Sequence, residues 1–98
     1  KKTASLSTAY WFYVDEFIDL INKSDLSPIE CFYLDLGGNE GNGDENISRI
    51  YYESNERICN ELIKKSDKIE ARFFEDAVHN EFEWRKRVPI FMELFYRR

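Results

Sequence analysis

Apolar and polar positions along this chain alternate with two periods. In AYWFYVDEFIDLIN, from Ala9 to Asn22, Val14, Phe17, Ile18 and Ile21 fall at i, i+3, i+4 and i+7 with Asp15, Glu16 and Asp19 between them. That spacing predicts an amphipathic helix with one buried face. It ends in KSDLSP, where Pro28 pushes Ser27 toward an extended backbone. The apolar run from Cys31 to Leu36, broken only by Asp35 and followed by Gly37 and Gly38, predicts a short strand buried on both faces. All four glycines lie in GGNEGNGDEN, which reads as a loop.

A second helix is predicted from Ile47 to Lys65, with Ile47, Ile50, Tyr51, Ile58 and Leu62 on one side. In KIEARFFE, Ile69, Ala71 and Phe73 alternate with charged residues, as in a strand near a sheet edge. DAVHN reads as the connecting loop. Asn80, with Glu83 three residues on, predicts a capping box that opens a last helix. Trp84, Val88, Phe91 and Phe95 form a stripe on that helix, and Pro89 interrupts its hydrogen bonding.

The order helix, strand, helix, strand, helix predicts an α/β fold, with parallel strands covered by helices. Two strands make a thin sheet. The pattern therefore implies either a homo-oligomer formed through an open sheet edge or a place within a larger sheet.

With 98 residues the chain is one domain, and 43% hydrophobic and 16% aromatic content is ample for a core. The net charge of -5 is uneven: residues 1–50 carry four Lys/Arg against nine Asp/Glu, and residues 51–98 carry ten of each. Such a balance offers no phosphate-binding footprint, so no nucleic-acid partner is expected. Cys31 and Cys59 lack ligand spacing and read as buried free thiols, which favours a reducing, cytoplasmic setting. No stretch approaches the roughly 20 apolar residues that span a bilayer, so no membrane partner is expected. No signal peptide is recognisable in a chain that starts at Lys1.

GGNEGNGDEN has the glycine and acid content of a calcium loop but not its alternating ligands, and GGNEGNG lacks the Lys-Ser/Thr of a phosphate loop. No metal and no cofactor is expected. Arg85 to Arg87 reads as a solvated helix face, and Tyr10 to Tyr13 as core or as the lining of a pocket.

Ligands of open α/β sheets bind beyond the carboxyl ends of the strands. The loops after the two predicted strands hold Glu40 and His79, the only histidine, and adjacent parallel strands would bring the two together. A carboxylate that fixes an imidazole tautomer is what a general-base histidine needs. A turn histidine beside one of nineteen acidic residues is the structural alternative.

FYLDLGGNEG, NERICNELIKK and HNEFEWRKRVPIFMELFY together resemble the C-terminal part of the esterase family of the α/β-hydrolases that includes esterase D-like, enterochelin esterase-like and feruloyl esterase-like enzymes. SLSTAYWF is similar to that family's S-P-x-x-W segment. The resemblance covers essentially the whole chain, and its most specific part is His79-Asn80-Glu81 with Trp84, Arg87 and Pro89. It implies that residues 1–98 are the C-terminal portion of one α/β-hydrolase domain, a serine esterase acting on a small-molecule ester. His79 would be its catalytic base. Glu40 is the first candidate for the triad acid and Asp44, in the same loop, the second. Trp84 and Arg87 match positions that pack the last helix.

The family's nucleophile is the serine of a G-x-S-x-G elbow. Ser5, Ser7, Ser24, Ser27, Ser48, Ser54 and Ser66 all lack flanking glycines. Because the triad order in this fold is serine, acid, histidine, the nucleophile and the oxyanion hole are expected upstream of Lys1, leaving this chain inactive alone. The competing expectation is a non-catalytic α/β interaction module or hydrolase remnant.

Overall fold

The computed structural model describes residues 1–96. Its centre is the strand predicted from the apolar run, β2 (Cys31–Asn39), flanked on one side by β1 (Lys2–Leu6) and on the other by β3 (Ile69–Val78). All three strands are parallel, in the order β1-β2-β3. Between them run a 3-10 turn (Tyr10–Phe12), α1 (Val14–Lys23) and α2 (Glu45–Lys65), and α3 (Glu81–Tyr96) closes the described chain. The protein is thus a small mixed α/β domain.

The two-residue period of β2 sorts its side chains between two layers. Phe32 and Leu34 face α1 and α2, where Leu34 joins Tyr10, Ile58 and Leu62 in the buried core, with Val14, Ile18, Ile21 and Cys59 packed around it. Tyr33 points the other way, its ring 5.7 Å from Phe91 of α3. A strand covered on both faces has no solvated side, which is why its sequence reads as a nearly unbroken apolar run.

Several expectations are corrected. β1 stands ahead of the first helix, so the sheet has three strands and not two. Its side chains, Lys-Thr-Ala-Ser-Leu, carry little apolar signal, and it is held by pairing with β2 from Lys2↔Cys31 to Leu6↔Asp35. The first α-helix begins at Val14 and not Ala9, and α2 begins at Glu45, ahead of Ile47. Along α2 the inward line runs through Tyr51, Ser54, Asn55, Ile58 and Leu62, while Ile47 and Ile50 are exposed. DAVHN is largely strand, since β3 continues to Val78. Only half of the capping box forms: Asn80 Oδ1 accepts from the Glu83 amide at 2.9 Å, but the Glu83 carboxylate bonds Lys86 instead.

The stripe on α3 is also shifted. Val88 is exposed, whereas Arg87, expected on a solvated face, is buried. Trp84, Arg87 and Phe91 lie three and four residues apart, so a single face carries all three. Both cysteines are free and half-buried, and burial pushes both thiols above their usual range. No described helix is long and apolar enough to cross a membrane. The outer edges of β1 and β3 carry no partner strand among the described residues.

Leu62 is only 1% exposed at the centre of the α2 face. Leu62→Ala is expected to cost about 2–5 kcal/mol through the cavity it leaves. Urea unfolding followed by circular dichroism would read this as a lower midpoint with an unchanged slope.

Candidate functional site

Strand pairing decides what meets what beyond the carboxyl ends of the sheet. Along most of β2 and β3 the partners are offset by 37 residues, as in Gly37↔Phe74, but after an irregularity between Gly37 and Asn39 the offset is 39, as in Asn39↔Val78. This bulge gives β3 extra residues and restarts the register at the strand ends. The residues that follow the last pair are Glu40 and His79.

They meet directly. His79 Nδ1 lies 2.8 Å from Glu40 Oε1, and the Glu40 side chain is fully buried while that of His79 is 34% exposed. The other carboxylate oxygen, Oε2, accepts from the Gly37 amide and from the Ser7 hydroxyl, each at 2.5 Å. With donors filling Oε2, the carboxylate is left to accept at Oε1, so the proton between the two side chains sits on Nδ1. In the neutral ring Nε2 then carries the lone pair, and Nε2 has no hydrogen-bond partner among the described residues. The imidazole is braced by aromatic rings, with Tyr51 at 5.4 Å and Trp84 edge-on at 4.8 Å between centroids.

Gly37 is required by this approach. A Cβ there would overlap the carbonyl oxygen of Ala77 and come within 2.9 Å of Glu40 Oε2. Only glycine lets the β2 backbone come this close to both β3 and the carboxylate that it binds.

Behind Glu40 lies a second buried layer. Ser7, 1% exposed with a left-handed φ of 47°, directly follows β1, and its amide donates to the Asp35 carbonyl at 3.0 Å. Arg87 Nη2 donates to Ser7 Oγ at 2.6 Å, and Arg87 Nε stands 3.2 Å from Asp35 Oδ2. Asp35 Oδ2 also accepts from the Tyr33 hydroxyl at 2.7 Å. Burial pushes the Asp35 carboxyl above its ordinary range, opposed by the Tyr33 hydroxyl and by the Arg87 charge. The Tyr33 phenol is pushed up as well, chiefly by burial and then by its bond to Asp35.

No family model, curated protein or solved structure matches the chain. The site is therefore read from its own geometry.

Of the residues singled out in the sequence, Glu40 and His79 are brought together, and Asp44 is not with them. Asp44 is the N-cap of α2, its Oδ1 accepting from the amides of Asn46 at 3.0 Å and Ile47 at 3.2 Å. A carboxylate occupied with two helix amides meets the helix's own need for acceptors. The glycine-rich loop is fastened in the same local way, with Asn39 Oδ1 accepting from Gly43 at 2.7 Å and Ser48 Oγ from Gly41 at 3.0 Å. Among the described residues, no group of three or more His, Cys, Asp or Glu side chains is placed to hold a metal ion.

Ser7, Gly37, Asp35 and Tyr33 are not among the site residues read from the sequence, and Arg87 reads there as part of a solvated helix face or, by the resemblance, as packing the last helix. One signal was available for Arg87, which falls on the helical line from Trp84 to Phe91. Another was the two-residue spacing of Tyr33 and Asp35, which puts both on one face of a strand. An apolar cleft of about 220 Å³ lies between α2 and β3, lined by Leu34, Tyr52, Asn55, Cys59 and Phe73, away from Glu40 and His79.

Asp44→Ala is expected to cost about 1 kcal/mol of stability through the lost cap and to leave the nitrogen resonances of His79 unmoved. Gly37→Ala should displace those resonances. Histidine-selective NMR on the two variants checks both.

Proposed function

We propose that Glu40 and His79 are the acid and the base of a serine-dependent carboxylic-ester hydrolase of α/β-hydrolase type, acting on a small-molecule ester. The observation that carries this reading is the 2.8 Å contact between His79 Nδ1 and a fully buried Glu40 carboxylate, with Nε2 left unpartnered at a half-exposed ring. A histidine serving only as a turn residue does not call for a buried carboxylate backed by two further donors. The position beyond the carboxyl ends of a parallel sheet supports the same reading. So does the resemblance of the segments around Glu40 and His79 to the esterase family.

The nucleophile comes from outside these 98 residues. Ser7 is the only serine bonded to the dyad, but its hydroxyl is buried behind Glu40 and donates to the carboxylate rather than to His79. A further strand pairing in parallel with the open edge of β1 would end at the same rim as Ser7, Glu40 and His79. That is where a strand-to-helix turn could present a serine to Nε2.

In the reaction, the serine oxygen attacks the ester carbonyl while His79 Nε2 takes its proton, and Glu40 stabilises the resulting imidazolium through Nδ1–H. The tetrahedral intermediate collapses as His79 returns the proton to the departing alkoxide, releasing the alcohol and leaving an acyl-enzyme. Water then gives a proton to Nε2 as it attacks the acyl carbon, and the serine regains that proton as the carboxylic acid leaves.

The test is ester turnover in the natural full-length protein with short-chain p-nitrophenyl esters. His79→Ala and Glu40→Gln are each expected to lower kcat by about 10²- to 10⁴-fold, the range over which a positioned acid or base contributes. Turnover that stays within a few-fold in folded His79→Ala would exclude the role. Asp44→Ala should leave kcat within a few-fold of the parent.

A further inference from the structure

A buried cation stands behind the acid of the dyad, and the proposed reaction makes no use of it. Arg87 is 2% exposed, and its guanidinium carbon lies 5.3 Å from the centroid of the Phe74 ring. Taking a guanidinium out of water costs several kcal/mol, and an apolar side chain of similar volume commonly packs as well or better. Packing of α3 is therefore a weak reason for an arginine here. Its polar contacts are more informative: Asp35 at 3.2 Å from Nε and Ser7 Oγ at 2.6 Å from Nη2.

Arginine can only donate. The bond from Nη2 occupies the acceptor side of the Ser7 hydroxyl, so the Ser7 proton is turned to Glu40 Oε2, 2.5 Å away. The Gly37 amide converges on the same oxygen. Oε2 is thereby held from two sides, one a fixed backbone and the other a hydroxyl whose direction is imposed by a charge. Oε1 is the oxygen that remains for His79.

We propose that Arg87 is a positioning residue: acting through the Ser7 hydroxyl, it locks Glu40 Oε2 and so presents Oε1 to His79 Nδ1. The consequence for turnover rests on the esterase reading, but the relay itself can be measured without substrate. Asp35 and Tyr33 support it from behind. The carboxylate of Asp35 balances the Arg87 charge, and Tyr33 donates to that carboxylate at 2.7 Å.

His79 is the only histidine, so ¹⁵N-histidine labelling of the chain gives a single Nδ1–H correlation whose exchange with water reports the bond to Glu40. Ser7→Gly removes the hydroxyl at a position whose φ of 47° suits glycine, and it leaves the Arg87–Asp35 pair in place. It is expected to speed Nδ1–H exchange by about tenfold or more, the loss of one charge-assisted hydrogen bond from the network. Arg87→Met should do the same, and unchanged exchange in a folded Arg87→Met would remove Arg87 from the relay.

Unchanged Nδ1–H exchange in Ser7→Gly, with an amide spectrum as dispersed as the parent's, overturns the proposal. Should Arg87→Met fail to fold because Asp35 is left uncompensated, the double variant Arg87→Met/Asp35→Leu removes both charges together, and unchanged Nδ1–H exchange in it overturns the role of Arg87. Faster exchange in Ser7→Gly without His79-dependent ester turnover in the full-length protein would retire the esterase reading and leave the relay standing. The reverse pair of results would retire the relay alone.

Discussion

A carboxylate with no access to water must be met by donors from the protein, and the burial of Glu40 organises this structure around that need. Three elements contribute: β1 is followed by the Ser7 hydroxyl, β2 supplies the Gly37 amide, and β3 is followed by the His79 imidazole. Each donor depends on a local departure from regular structure. Ser7 has a left-handed φ, Gly37 has no room for a side chain, and the β2–β3 pairing changes offset just before Glu40 and His79. A buried anion left short of donors is costly, so the irregularities and the carboxylate justify one another.

The hydrogen-bond network also runs through the sheet from rim to back. From His79 it passes by Glu40 and Ser7 to Arg87, where an ion pair and not a hydrogen bond leads on to Asp35, which accepts from Tyr33. Its outer end is the half-exposed ring of His79, and its inner end lies under α3. Not every group is satisfied: Asp35 Oδ1 and both Nε and Nη1 of Arg87 are buried without a hydrogen-bond partner among the described residues. The layer is therefore held more by the opposed charges of Asp35 and Arg87 than by complete hydrogen bonding, and such a pair fixes geometry more surely than it adds stability.

How much of this was legible in the sequence follows from the strength of each physical signal. β2 stood out because burial on both faces makes an apolar run, and α1 and α2 because one buried face repeats every 3.6 residues. β1 was invisible: a five-residue edge strand containing Lys, Thr and Ser owes its conformation to pairing with β2, a long-range contact that leaves no local pattern. Glu40 and His79 could be named because both follow predicted parallel strands. Asp44 was indistinguishable from Glu40 by composition, and only the position of the α2 N-terminus separates a helix cap from a buried acid. Arg87 was masked by its neighbours in Arg-Lys-Arg, where charge suggested solvent although its helical phase with Trp84 and Phe91 pointed inward.

The central claim is that a buried Glu40 holds His79 with its proton on Nδ1 and leaves Nε2 without a hydrogen-bond partner. The most direct measurement is the pair of ¹⁵N chemical shifts of the single histidine at neutral pH, which distinguishes the two neutral tautomers. The account predicts a protonated Nδ1 and an unprotonated Nε2. A proton on Nε2, or an even mixture of tautomers, would contradict it.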